Sequence, residues 1–545
     1  MFLQRYFSTT GLLLGTLFFA LSMSPTLLPR TNVIQGLISG LAMASGYGVG
    51  VFGIWFWSYL QLPMPGHYYQ RRMQQIAAGI FFITAVIFLW RASGWQNSLR
   101  ELMGLEQGPG VQPVVIGVVA VLVFLGVLLL ARLFSLTFKA VSRQLQKLVP
   151  KRVSWVMGLI ASFFLFWSVI DGVFFSFILE TSDRTYQQID AALEPEFDPP
   201  SNPLKSGSSA SLLSWEDMGR QGRRFLSSGP SASDIAQFLG KEAKEPIRVY
   251  AGMNSAETME ERADLALREL IRTDAFSRKI LVLITPTGTG WIDPGGIDPL
   301  EYLHHGDIAS VAAQYSYLPS PLALLLEEEY GEGMAQALFE KVYGYWTTLS
   351  PDSRPRLYLH GLSLGAMNSD KSFDLYDIIT DPFDGALWAG PPFRKQSWVS
   401  FTGQREPGSS EWKPRFKDGS VVRFANQNGG LETGEAEWGS FRIAYLQYAS
   451  DPVTFFKPSS ATNEPDWMKP PRGPDVSADL RWYPIVTSLQ LAADMAFGIA
   501  PSGFGHEYSA EHYLESWYHL TEPEGWDEEM LARLKRHFSE NIDPE

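Results

Sequence analysis

The sequence predicts an α/β fold, a mostly parallel sheet with helices on both faces, C-terminal to an all-α transmembrane domain of about five helices. Three observations carry this. Residues 1–179 combine long apolar runs with a basic balance, 12 Lys+Arg against 3 Asp+Glu. The remainder is acidic, with 32 basic against 55 acidic residues. From about residue 247 onward, short apolar β-branched runs alternate with segments of helical period, the pattern of a parallel sheet with crossover helices. The division expected is a transmembrane domain over 1–180, a linker and docking segment over 181–245, and a catalytic domain over 246–545.

Five apolar stretches predict the spans: roughly 11–28, 33–62, 74–90, 113–130 and 153–179. A spanning helix needs about 20 mostly apolar residues. The second stretch is dotted with Gly, and small residues let helices approach closely, so it is expected at the centre of the bundle. Arg5, Arg71, Arg72, Arg132, Lys139, Arg143, Lys147, Lys151 and Arg152 fall on one side of the spans, and Arg30, Arg91 and Arg100 on the other. The more basic side is cytoplasmic. The N-terminus is therefore expected in the cytoplasm and everything after residue 180 outside it. Residues 1–22 also admit a cleaved signal peptide, which would remove one span without moving the acidic part. Phe134, Phe138, Val141, Leu145 and Leu148 form an amphipathic stripe, expected to lie on the cytoplasmic leaflet. Asp171 lies within the fifth span, either as a functional intramembrane acid or as a carboxyl facing the bundle.

Between 181 and 245 the period breaks. EPEFDPPSNPLKSGSSASLL is rich in Pro, Ser and Gly and reads as a connection. WEDMGRQGRRFLSSG within it has the aromatic and paired basic residues to dock on the following domain. After it come the strands IRVYAG (247–252), KILVLIT (279–285), RLYLHG (356–361), GALWAGPP (385–392), VVRFAN (421–426) and FRIAYLQYAS (441–450). Residues 255–273 and 332–349 have helical spacing between them, with Ser255 as the expected cap of the first.

The composition excludes several chemistries. The acidic part lacks the clustered basic face that phosphate contact needs, which argues against nucleic acid as a partner. The chain has no Cys, so disulfides, thiolate nucleophiles and Cys-based zinc sites are out. No His-x-x-x-His pattern occurs, and neither a metal nor a cofactor is expected.

Gly361-Leu362-Ser363-Leu364-Gly365 follows directly on the strand RLYLHG. A serine at the tip of a strand-to-helix turn sits in a strained backbone conformation, and Gly361 and Gly365 leave room for the tight packing around it. The polar segment that follows predicts a short helix. In chain order an acid and then a base must come next. Asp451, just past the strand FRIAYLQYAS and 88 residues beyond Ser363, fits the acid, with Asp381 and Asp384 as rivals. His506, in the Gly-rich PSGFGHEY, fits the base, with His512 as its rival. His304, His305 and His360 precede the nucleophile and are expected in core or loop roles. Leu364 is expected to give one backbone N–H to an oxyanion, and Thr287 or Gly288, in the PTGTGW turn after KILVLIT, the other. That turn lacks the Gly-Lys-Ser/Thr ending of a phosphate loop.

Several longer strings carry a family resemblance: SPTLLPR (24–30) and QGLISGLAMASGYGVG, GRQGRRF (219–225), then EPIRVYAG, TPTGTGWIDP, LEYLHHGDIASVAAQYSYLPS, GALWAGPP, QYASDPV and RGPDVSADLRWYP. The chain resembles bacterial membrane-anchored α/β-hydrolases, in which a multi-span N-terminal domain precedes a C-terminal hydrolase domain. The resemblance implies a serine hydrolase with Ser363, Asp451 and His506 as its triad, and it supplies no substrate. Two departures stand out. Residues 481–499 read as a helix where such folds place a strand between acid and base, and Leu362 fills a position where polar residues are common. The expected activity is cleavage of an ester, a lipid or acylated envelope compound, at the outer face of a bacterial inner membrane. Acyl transfer by the same triad and a non-catalytic membrane scaffold are the alternatives.

Overall fold

The computed structural model describes residues 7–63, 66–108, 110–169, 186–194, 197–320, 323, 328–432 and 434–541. Asp171 lies outside the described residues. The chain divides into two compact units, one made of 1–181 and 456–501, the other of 182–455 and 502–545.

The first unit is helical: α1 (Thr9–Leu21), α2 (Asn32–Tyr59), α3 (His67–Leu102), α4 (Pro113–Leu145) and α5 (Lys151–Val169). The last four are long and apolar enough to cross a membrane. α1 has 13 residues, about 20 Å of helix against the roughly 30 Å of a bilayer core. The expected first span over 11–28 is therefore corrected to this shorter helix. Pro25 and Pro29 stop it, and Ser22–Leu28 continue as a buried non-helical segment. α2 is central, as expected. A Cβ at Gly40 would stand 2.7 Å from the Ala120 carbonyl on α4, and one at Gly46 would stand 2.6 Å from the Leu14 carbonyl on α1. Only Gly admits both neighbours at that distance. Phe52, Ile80, Phe82, Leu129 and Phe164 are exposed on the outer faces of α2–α5.

Two further expectations are revised here. The stripe from Phe134 onward is not a separate interfacial helix: α4 runs unbroken to Leu145, since no Gly or Pro interrupts it after Gly126. Phe134 and Phe138 instead make edge-to-face contacts with Phe166 and Trp155 of α5. Residues 456–501, expected within the catalytic domain, cluster with the helical unit. Their helix Val486–Phe497 places Asp494 against Arg30, Nε to Oδ1 at 2.8 Å. Gln490 donates to the carbonyls of Ser22 and Ser24, both at 3.0 Å.

The second unit is a seven-stranded sheet, every pair parallel, in the order β1-β3-β2-β4-β5-β7-β6. The strands are β1 (Ile247–Ala251), β2 (Ile280–Thr285), β3 (Ile308–Ala313), β4 (Arg356–Leu362), β5 (Gly385–Ala389), β6 (Val422–Ala425) and β7 (Arg442–Leu446). Their residues are almost all buried, as strands covered on both faces must be. The helix Met259–Arg272 starts three residues later than the sequence suggests. Thr258, not Ser255, caps it, in a reciprocal capping box with Glu261. This arrangement satisfies two backbone donors where a lone Ser would satisfy one. In the segment 181–245, helices Gly219–Ser228 and Ala232–Leu239 form, and Arg223 is fully buried, donating to the carbonyls of Asp190 and Ala192.

From β2 the chain turns to β3 on one side, and from β4 to β5 on the other. The sheet order therefore reverses between β2 and β4. The crevice beyond the carboxyl ends of those two strands is where open α/β sheets bind ligands.

Candidate active site

At that crevice β4 ends in the turn holding Ser363. Its φ of 56° and ψ of −122° lie in a region L-residues avoid. A Cβ on Gly361 would collide with the backbone of Gly365, and one on Gly365 with the carbonyl of Thr285 at the end of β2. The sharp turn thus requires both glycines. The helix that follows, Leu364–Asp370, has seven residues, short as its polar sequence suggests. It is anchored by the Trp388 indole, which donates to Ser369 Oγ at 3.0 Å.

Asp451 is fully buried just beyond β7. Its Oδ2 accepts from His506 Nδ1 at 2.8 Å, from Tyr508 Oη at 2.8 Å and from Thr454 Oγ1 at 3.1 Å. Its Oδ1 accepts from the Val453 N–H at 2.8 Å. The imidazole is thereby held by one nitrogen. Its Nε2 is buried and has no hydrogen-bond partner among the described residues. The His506 loop is fixed at its base, where the Gly505 N–H donates to Ser450 Oγ at 2.8 Å.

Serine and histidine meet at one dipeptide. The Ser363 N–H donates to the Ala389 carbonyl at 3.0 Å. The next residue, Gly390, has φ +51°, and a Cβ there would stand 2.7 Å from His506 Cε1. The end of β5 therefore touches Ser363 on one side and the His506 imidazole on the other. Burial pulls the His506 pKa down, and the adjacent Asp451 carboxylate more than offsets this, so the net shift is upward from 6.5.

The rival residues are occupied elsewhere. Asp381 pairs with Arg354, Nη1 to Oδ2 at 2.7 Å. Asp384 accepts the Leu357 N–H at 2.8 Å. His512 Nδ1 bonds to Tyr448 Oη at 2.5 Å, and burial pushes its pKa down to about 4. His360 is buried with Nδ1 on the Leu387 carbonyl, and His304 bonds to Thr521. Burial holds both neutral, at about 4 and about 3.

The oxyanion donors divide. The Leu364 N–H makes no hydrogen bond to a described residue, so it is available. Thr287 is not: its N–H donates to the Trp291 carbonyl at 3.0 Å, closing the PTGTGW turn on itself. This corrects Thr287 as a donor, because a backbone N–H committed to a local turn cannot also serve an oxyanion. Gly288 remains, its N–H facing Ser320 Oγ at a long 3.4 Å. Sequence reasoning missed Tyr508, which shares the Asp451 carboxylate with His506. Its one signal in the sequence is its place two residues after His506.

A model of the alpha/beta-hydrolase family matches residues 247–534, and a model of the N-terminal region of that family matches residues 23–230. The first match spans more than half of the chain. The chain belongs to the alpha/beta-hydrolase family. No curated protein and no solved structure matches it. For this alpha/beta-hydrolase the helical unit is thus part of a recurring two-part architecture. One metal-compatible cluster occurs among the described residues, Glu432, Glu515 and His519, with candidate ligand atoms within 4.8 Å of one another. Glu515 there already pairs with Lys535 at 2.6 Å.

Proposed function

We propose that this protein is a membrane-bound serine hydrolase that cleaves a carboxylic ester through an acyl-enzyme on Ser363. The observation that carries the reading is the convergence of the strained Ser363 turn and the Asp451-held His506 ring on Ala389-Gly390. His506 Nε2 takes the proton from Ser363 Oγ as the oxygen attacks the ester carbonyl. Asp451 fixes the tautomer and stabilises the imidazolium that forms. The Leu364 N–H, joined by that of Gly288, receives the developing oxyanion. His506 then passes its proton to the leaving alcohol, and water repeats the sequence to release the acid. Catalytic hydrogen bonds are often unmade before substrate binds, which is in keeping with the unpartnered Nε2.

Four spans, α2 to α5, support a multi-pass anchor. The basic residues in the first turns of α3, Arg71 and Arg72, and around the α4–α5 turn, Arg143, Lys147, Lys151 and Arg152, support a cytoplasmic side there. That sidedness puts the hydrolase unit outside the cytoplasm whether or not α1 spans, at the outer face of a bacterial inner membrane. A lipid or acylated envelope ester is the substrate class this location favours. The test is p-nitrophenol release from esters of increasing acyl length, read in the pre-steady state. The expected result is a burst equal to the enzyme concentration, lost in Ser363→Ala with a fall in turnover of about 10⁶. A folded wild type without a burst or steady hydrolysis at any chain length would overturn the reading.

A further inference from the structure

Within the helical unit a cavity of about 390 Å³ opens at the end of the bundle where α2 and α4 begin and α3 ends. That is the size range of small-ligand sites. Its walls differ in character. The floor rests on the apolar cluster of Met23, Ala92 and Ile116, and Leu105 and Val111 also line it. Phe497 and Ile499, both exposed large hydrophobics, contribute from the last residue of the helix Val486–Phe497 and the chain just after it. The rim is polar and cationic: Arg30, Asn32, Gln35, Gln96, Asn97 and Arg100. Among the described residues no Asp or Glu lines it.

Two features favour negative charge at that rim. The first turn of α2 and the segment leading into α4 line it, which brings the positive ends of two long helices to the opening. Arg30 is 2% exposed and committed, to Asp494, Thr26, Gln35 and the Gln490 carbonyl. Arg100 is not committed in this way. Its Nε donates to the Glu106 carbonyl at 2.6 Å, and its two terminal nitrogens have no hydrogen bond among the described residues. A guanidinium with a free fork is the side chain suited to a carboxylate or phosphate.

We propose that this cavity binds an anionic amphiphile, its carboxylate or phosphate held by Arg100 at the rim and its acyl chain laid on the Met23–Ile116 floor. A fully apolar ligand would leave the Arg100 fork without an anion, and a small hydrophilic anion would leave the floor wet. The shared chemistry has two sources, a free fatty acid anion or an acidic phospholipid of the bilayer. None of the residues lining it belongs to the Ser363 site.

The experiment uses the full chain in neutral maltoside detergent. Oleate and dioleoyl phosphatidylglycerol are titrated against oleyl alcohol and dioleoyl phosphatidylcholine as controls without net charge, with bound lipid identified by its intact mass in native mass spectrometry. At least one anionic probe is expected to bind one-to-one and about tenfold tighter than its control, the scale of one charge-assisted hydrogen bond. Arg100→Gln is expected to bring the two together, and Leu105→Trp to weaken anion and control alike by filling the chain site. Should Arg100→Gln fail to fold, Leu105→Trp carries the test. Ser363→Ala is expected to bind as wild type does, which separates this site from the hydrolytic one. Preference for oleate identifies a free acyl anion, and preference for phosphatidylglycerol a bilayer lipid; either supports the site. Equal binding of anion and control in wild type, discrimination that survives Arg100→Gln, or binding untouched by Leu105→Trp overturns it.

Discussion

Each unit buries a carboxylate against a basic side chain, Asp494 against Arg30 and Asp451 against His506, and these two pairs are finished differently. In the helical unit Asp494 gives one oxygen to Arg30 and the other to the Leu27 N–H at 3.2 Å. Arg30 places its remaining donors on Thr26, Gln35 and the Gln490 carbonyl. In the hydrolase unit Asp451 is just as buried and even more fully bonded, but its partner is not. The His506 side chain keeps 26% exposure and an unpartnered Nε2. A guanidinium stays charged and spends its fork on geometry, whereas an imidazole near neutrality can give up a proton and take one back. One pair holds the chain in place. The other leaves one nitrogen unengaged, and that nitrogen is where chemistry can occur.

Substitutions should separate the two pairs by what they damage. The largest effect is expected from Asp451→Asn. It keeps the shape but favours the wrong imidazole tautomer, so ester turnover should fall by about 10⁴ with the unfolding temperature little changed. Retained turnover would mean that Asp451 does not orient the base. Next comes Asp494→Ala, which strands the buried Arg30 charge and the Leu27 N–H. It should cost about 3–5 kcal/mol, read as unfolding in detergent, while the double replacement Arg30→Met with Asp494→Leu recovers most of that loss. If the single variant is as stable as wild type, the pair does not hold the helix Val486–Phe497 to the loop 22–30.

A smaller effect is expected from Tyr508→Phe. It removes one of the hydrogen bonds on Asp451, worth about 1 kcal/mol and so about fivefold to tenfold in kcat/KM. The subtlest effect is on pH dependence. His506 must be neutral to accept the serine proton, so activity should rise with pH through its pKa. The Asp451 carboxylate moves that pKa upward from 6.5. The acidic limb of kcat/KM should therefore have its midpoint above 6.5 in wild type and move to lower pH in the residual activity of Asp451→Asn. A wild-type limb centred below the ordinary histidine value would rule out this electrostatic account.

The two units also differ in how much of each the sequence discloses. Six of the seven strands were legible because a strand covered on both faces is a continuous apolar run, as in KILVLIT and RIAYL; β3, whose run IASVAA is made of small residues and carries Ser310, was not. The serine turn was legible because its steric demands fall on two neighbours in the chain, Gly361 and Gly365. The pairing of Asp451 with His506 was legible from chain order. The Arg30–Asp494 pair was not, since 464 residues separate its members and nothing local to either marks the other. The same distance hides the membership of 456–501: the chain leaves the hydrolase unit just after Asp451 and returns just before His506. Thr287 misled because a turn that offers an N–H and a turn that spends it on its own carbonyl have the same composition. The length of α1 was overestimated because hydropathy sums through Pro25 and Pro29, where the backbone cannot remain helical.

The most direct test of the account is fluorophosphonate labelling of the full chain in membranes, with the adduct located by tandem mass spectrometry. The account expects a single adduct on Ser363, formed in wild type and in His512→Ala, and absent from folded His506→Ala. Labelling that persists without His506, or depends on His512 instead, would contradict the triad and with it the claim that the free nitrogen of the Asp451–His506 pair is the working base.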